Sequence, residues 1–149
     1  MLRLVMVALA IALAAMAQGF TFTIGSAVAS QDVQFKAATF VFRTEGCAEP
    51  AKSQISATAE GVVKEGRRTV ALKVLPSAKP GVYAIYQSWP SEGRWVVNLK
   101  GTCANQSAGA IVAMGPKGFV RESSKFFSRP ATDSEIEAML TALPAGGNK

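Results

Sequence analysis

Arg94–Cys103 reads RWVVNLKGTC. Trp95, Val97 and Leu99 alternate with Arg94, Val96, Asn98 and Lys100, so one side of an extended chain is apolar and the other mixed. Successive side chains of a strand point to opposite faces, and a period of two marks a strand with one face in a core. The same period recurs upstream. In ATFVFRT, Ala38, Phe40 and Phe42 share one side, while Thr39, Val41 and Arg43 share the other. In ISATAEGVV, Ile55, Ala57, Ala59 and Val63 oppose Ser56, Thr58 and Glu60. Lys64-Glu65-Gly66 then supplies a turn, and RRTVALKVL returns with Val70, Leu72 and Val74 facing in. This pair predicts a hairpin, stopped at Pro76, which has no N–H to give to a ladder.

After PSAKPG comes VYAIYQ, and its position predicts a second hairpin with RWVVNLKGTC across the SWPSEG break. AGAIVAM, 108–114, is apolar on both faces and suits the middle of a sheet. Six strands at short intervals predict a sandwich or barrel. The last element changes period: Ile136, Met139, Leu140 and Leu143 recur at helical spacing, and Pro144 with two glycines ends the run. Thr132 and Glu135 have the spacing of a capping box, which satisfies free N–H groups of a helix's first turn.

The chain has 149 residues, 49% hydrophobic and 17% charged, which predicts one globular domain with a single core. Its N-terminus has one early positive charge, Arg3, before the apolar run LVMVALAIALAAMA, the layout of an export signal. Small-x-small cleavage motifs end at Ala17 and at Ala29. The later is preferred, because no charge appears between Leu4 and Gln31. The expected organisation is a signal peptide over 1–29 (alternatively 1–17), a β-sandwich over 30–130, and a helix with a tail over 131–149. Retention of the segment as an anchor is the competing reading, against which Gly19, Gly25 and the polar TFTIGS weigh. The expected location is periplasmic or secreted.

Cys47 and Cys103 are the two cysteines, and in an exported chain they are expected to form a structural disulfide. The charge balance is 16 Lys and Arg against 10 Asp and Glu, so loss of Arg3 lowers the excess from +6 to +5. A basic excess favours acidic partners such as anionic envelope lipid or polysaccharide, with nucleic acid not expected outside the cell. The chain contains no histidine, which removes the commonest general base, the commonest zinc and copper ligand, and all Ser-His and Cys-His nucleophile pairs. No Ser-x-x-Lys spacing, calcium loop or glycine-rich phosphate loop appears. Glu45, Glu60, Glu65 and Glu92 are the glutamates from which a glycosidase pair would be drawn, and nothing singles out two of them. Neither an enzyme nor a cofactor is expected.

Two segments carry the candidate surfaces. In KGFVRESSKFFSR, the basic residues Lys117, Arg121, Lys125 and Arg129 recur every fourth position. A helix there would place Phe119, Val120, Phe126 and Phe127 opposite a basic strip able to lie on an anionic membrane surface. The competing reading is an edge strand whose phenylalanines cover the core. In YQSWPSEGRW, Trp95 keeps phase with the core residues, whereas Trp89 precedes Pro90 outside the pattern, where it either packs over the end of the sandwich or is presented by the loop to a partner. The candidate partner surface is therefore Trp89, Arg121, Lys125 and Arg129.

Pro80-Gly81-x-Tyr83 followed by Gly93-x-Trp95-x-Val97 resembles the hairpin of small bacterial periplasmic immunoglobulin-like domains, some of them associated with copper handling and cytochrome oxidase maturation. The resemblance spans about 20 residues of the chain. It implies an all-β, immunoglobulin-like sandwich acting as a non-enzymatic binding or accessory module. This chain departs from copper-binding relatives, having only Met114 and Met139 as thioethers beyond the signal. A copper-type metal-handling accessory protein is the alternative expectation, and an envelope-associated hydrolase the third.

Overall fold

The computed structural model describes residues 19–144, so most of the expected signal segment lies outside the described residues. The described residues form two antiparallel sheets and one α-helix. The strands are β1 (Thr21–Gly25), β2 (Phe40–Glu45), β3 (Gln54–Val63), β4 (Gly66–Leu72) and β5 (Leu75–Pro76). They continue with β6 (Val82–Ile85), β7 (Arg94–Cys103), β8 (Gln106–Gly115) and β9 (Gly118–Phe127), before helix α1 (Asp133–Ala142). One sheet runs β1-β2-β6-β5 and the other β4-β3-β7-β8-β9. This is the expected all-β sandwich with a short C-terminal helix.

The two sheets fit because their inner faces differ in residue size. The four-stranded sheet contributes Phe22, Ile24, Phe40, Phe42 and Ile85, each at most 5% exposed. Facing them are Ala57, Ala59, Ala108 and Ala110 beside Trp95, Val97 and Leu99 of the five-stranded sheet. Gly101 completes the recess, since a Cβ there would come within 2.6 Å of Phe22 Cζ and 3.1 Å of Phe20 Cε1. The rings meet edge to face, with Phe22 and Phe42 centroids 5.6 Å apart at 88°, a favoured arrangement of aromatic quadrupoles. Large residues filling the space above small ones is how interiors reach crystal-like density.

A second core lies on the opposite face of the five-stranded sheet, where Ile136, Met139 and Leu140 of α1 pack on Val96, Ile111 and Ala113. Covered on both faces, β7 and β8 must be apolar on both, which explains the unbroken run in AGAIVAM. The capping box forms: Glu135 N–H donates to Thr132 Oγ1 at 3.2 Å, and Thr132 N–H donates to Glu135 Oε2 at 2.8 Å. The Lys64-Glu65 hairpin forms too, with Val63 opposite Gly66. Cys47, just beyond β2, and Cys103, at the end of β7, are bridged with Cα atoms 5.9 Å apart, which ties the two sheets together.

Two expectations are revised, and the choice between the two readings of KGFVRESSKFFSR falls to the edge strand. The predicted hairpin of VYAIYQ with RWVVNLKGTC does not form: β6 pairs with β2 and β5, whereas β7 pairs with β3 and β8. YQSWPSEGRW is therefore a crossing from one sheet to the other. KGFVRESSKFFSR is strand β9 and the turn entering it, because its phenylalanines are needed on a sheet edge flanked by two cores. The sandwich also starts before Ser30. Phe20, Phe22 and Ile24, placed by the sequence reading in the leader, are at most 5% exposed, and β1 pairs along its whole length with β2.

Strand β1 is an edge, and its outward polar groups are met by side chains of the other sheet. Gln106 Oε1 accepts from Phe20 N–H at 2.8 Å, and Arg121 Nη2 donates to Ile24 O at 2.6 Å. Strand β9 is irregular. Between the pairs Ala113 with Val120 and Ile111 with Lys125, one residue of β8 faces four of β9. Ser124 closes this bulge, its hydroxyl accepting from Ala113 N–H at 3.1 Å and donating to Val120 O at 2.8 Å.

Candidate functional site: a cleft on the outer face of the four-stranded sheet

Between β1 and β2 the chain does not turn directly back. Residues 26–38 cross over the outer face of the four-stranded sheet and are fastened at its far side. Asp32 Oδ2 accepts from Ser77 Oγ at 3.3 Å, and Tyr86 Oη donates to Gln34 O at 2.5 Å. Ala27 and Phe35 anchor the crossing, each 4% exposed. Single-turn helices at Ala27–Ala29 and Val33–Phe35 shape it, the second capped by Asp32 Oδ1, which accepts from Gln34 N–H at 3.0 Å.

Beneath this crossing lies a cleft of about 820 Å³, within the size range of small-molecule sites. Strand register sets its floor. Thr23, Arg43 and Val82 are cross-strand neighbours and form one row, and Gly25, Val41 and Ala84 form the next. Ala29 and Val33 line the cleft from the crossing segment, Lys79 from the turn before β6, and Arg121 from β9. Three cationic residues therefore line the cleft against one carboxylate, Asp32, which is already hydrogen-bonded. Arg43 Nε lies 2.7 Å from Glu45 Oε1, an exposed pair whose contribution to stability is small.

The sequence-nominated surface does not assemble. Trp89 is 6% exposed and belongs to the sandwich core, at the end where it lines a cavity together with Leu143 and Pro144. Arg121 caps Ile24 and sits 5.9 Å from the Phe119 ring centroid. Arg129 stacks at 4.8 Å over Phe127 and bonds Glu135 at the start of α1. Lys125 is exposed and pairs across the ladder with Ile111. A four-residue spacing gathers side chains on a helix, whereas here a bulge lies inside the strand and sends Arg121 and Arg129 to different parts of the molecule. Phe126 and Val33 are exposed apolar side chains, 45% and 77%, of which only Val33 lies at the cleft.

A second polar group sits beside α1 and is structural. Glu60 accepts from Thr58 Oγ1 at 2.9 Å, Thr69 Oγ1 at 2.6 Å and Arg67 Nη1 at 3.0 Å. Arg67 Nε in turn reaches Glu137 Oε1 of the helix at 2.6 Å. Burial acts to lower the Arg67 pKa, but the bond to Glu137 and the charge of Glu60 outweigh it and raise the value. The network latches the helix to β3 and β4.

Among the described residues no group of three or more His, Cys, Asp or Glu side chains comes together to hold a metal ion. Both cysteines are oxidised to the disulfide, and Met114 and Met139 pack in different cores. The arrangement of the cleft residues is the feature that sequence reasoning missed. Val41 and Arg43 were read only as the side of a strand opposite Phe40 and Phe42, and 26–29 as part of the leader, so the roof and floor were never considered together. Comparison with known protein families, curated proteins and solved structures finds no match to this chain.

Proposed function

We propose that this protein is an exported, periplasmic or secreted, non-enzymatic binding or accessory module, and that the cleft under residues 26–38 is its ligand site. The observation that carries the reading is the construction of the cleft: a chain segment held over a sheet by its own buried anchors and hydrogen bonds, above a mixed apolar and cationic floor. The apolar start of the sequence supports export, and a disulfide is compatible with an oxidising compartment. The relation to periplasmic immunoglobulin-like domains rests on Pro80-Gly81-x-Tyr83 and Gly93-x-Trp95, which are carried here by strands of opposite sheets.

Metal handling, the alternative drawn from that resemblance, has no convergent soft donors among the described residues to support it. No observation favours a hydrolase. The basic-strip route to a membrane surface loses its geometric support once Arg121 and Arg129 are engaged elsewhere.

The test is to fill the cleft. Thr23→Trp places an indole on its floor from an edge strand. Wild-type and variant proteins recovered from their native compartment are compared by mass spectrometry for bound molecules. A molecule carried by the wild type and absent from the folded variant is the expected result. Identical profiles would remove the cleft as the binding site.

A further inference from the structure

The cleft is polarised along the strands, and this says what kind of molecule fits it. One row of its floor, Thr23, Arg43 and Val82, is the charged end, with Lys79 beside it: Lys79 O accepts from Val82 N–H at 3.3 Å, placing that turn next to the row. The following row, Gly25 and Val41, carries no polar side chain and lies with Ala29 and Val33 in the lining. A step of one row is two residues along a strand, roughly 7 Å, so on the floor charge gives way to an apolar row within the length of a short acyl segment, while the third cation of the lining, Arg121, is turned to Ile24 O beside that row. Arg43 is paired at its Nε with Glu45, an exposed contact outside the cleft lining, Lys79 forms no salt bridge among the described residues, and Asp32 is held by Ser77 and Gln34.

We infer that the cleft binds a single-chain anionic amphiphile, a fatty carboxylate, with its head at Arg43 and Lys79 and its chain laid over Val41 beneath Val33. The inference rests on the reading of the cleft as the ligand site and adds the ligand's chemistry. A carboxylate matches the fork of a guanidinium, and a cleft with low-dielectric walls strengthens the pairing. Covering Val41 and Val33 with hydrocarbon removes apolar surface from water, including a valine that is 77% exposed. A cationic head would face Arg43 and Lys79 as a like charge, so the same cleft selects against it.

The experiment is calorimetric titration of the purified exported protein with dodecanoate, dodecyltrimethylammonium and acetate, each detergent below its micelle concentration. Saturable one-to-one binding of dodecanoate, at least tenfold weaker binding of the cation and none of acetate are expected. Arg43→Gln combined with Lys79→Gln, two exposed substitutions that leave both cores intact, should weaken dodecanoate tenfold or more. Equal affinity for both amphiphiles, or a double variant that binds as the wild type does, overturns the inference. If dodecanoate fails while Thr23→Trp still abolishes a co-purifying molecule, the ligand class is wrong and the site stands. If Thr23→Trp changes nothing either, both readings fail.

Discussion

Gly61 and Trp95 face each other across the β3–β7 ladder, and the indole occupies the space where a Cβ on Gly61 would be. Trp95 Nε1 donates to Glu92 O at 2.8 Å, which keeps the ring flat against the bare backbone. Even the third-nearest ring atom, Cζ3, would be only 2.6 Å from the added carbon. Gly61→Ala is therefore expected to destabilise the fold by about 1–3 kcal/mol, the usual cost of overpacking. Chemical denaturation of the two proteins measures it. Combining Gly61→Ala with Trp95→Leu should cost less than the sum of the two single changes.

Processing should follow the core. Removal of residues 1–29 would take β1 away with Phe20, Phe22 and Ile24, each at most 5% exposed. Deleting even one large buried side chain costs about 3–5 kcal/mol, comparable with the stability of many small domains. On the proposed export, the mature protein is expected to begin at Gln18, and a chain expressed from Ser30 to be unfolded. Intact-mass measurement of the secreted protein together with circular dichroism of the truncated chain tests both parts.

The disulfide closes a long stretch of chain, with Cys47 and Cys103 separated by 56 positions. Cross-linking at that separation restricts the unfolded chain by about 4 kcal/mol on the loop-entropy view. The double variant Cys47→Ala, Cys103→Ala should lose about 2–5 kcal/mol. Denaturation of the oxidised, reduced and double-variant proteins should place the last two together, well below the first.

Helix docking should weaken in acid for an identifiable reason. The bond from Arg129, aided by the Thr132 N–H, lowers the Glu135 carboxyl from 4.5 to about 2. A carboxylate whose folded value is depressed contributes stability that is fully present above its unfolded value and is lost as pH falls through the folded one. The helix start should thus loosen between about pH 4.5 and 2. Hydrogen exchange at Glu135 and Ile136 reports it, and Glu135→Gln should show the loosened behaviour already at neutral pH.

How much of this was legible in the sequence depended on whether local pattern and tertiary role coincided. Alternation in 38–44, 55–75 and 94–103 marked strands because the side of each that faces the sandwich core is apolar at every second residue, and Thr132 with Glu135 marked the helix because a cap is a local device. Partnership was less legible. Strands β6 and β7 are neighbours in sequence and lie in opposite sheets, a choice made by long-range packing of Ile85 and Trp95 in the same core. Strand β1 was concealed because the apolar run read as a leader and an apolar strand follow one another with no charge between them. Of the nominated surface, Trp89 stood between core and loop because Pro90 predicts a break in the strand and says nothing of burial. The cleft was least legible, being assembled from 26–38, β2, β6 and β9, segments that only the folded topology brings together.

The bulge in β9 inserts three residues relative to β8, and three is odd. Before it, Phe119 joins the sandwich core and Val120 the helix side; after it, Phe127 joins the helix side. One strand thus serves two interiors in succession by changing hands midway, with Ser124 as the pin. Loss of a single residue from 121–124 would undo the exchange, sending Phe127 toward the sandwich while Lys125 lost its place opposite Ile111. Substitutions in Arg121–Ser123 therefore alter one side chain each, whereas a one-residue deletion there rewrites the facing of everything that follows up to the helix. The spacing of this segment is constrained more tightly than its letters.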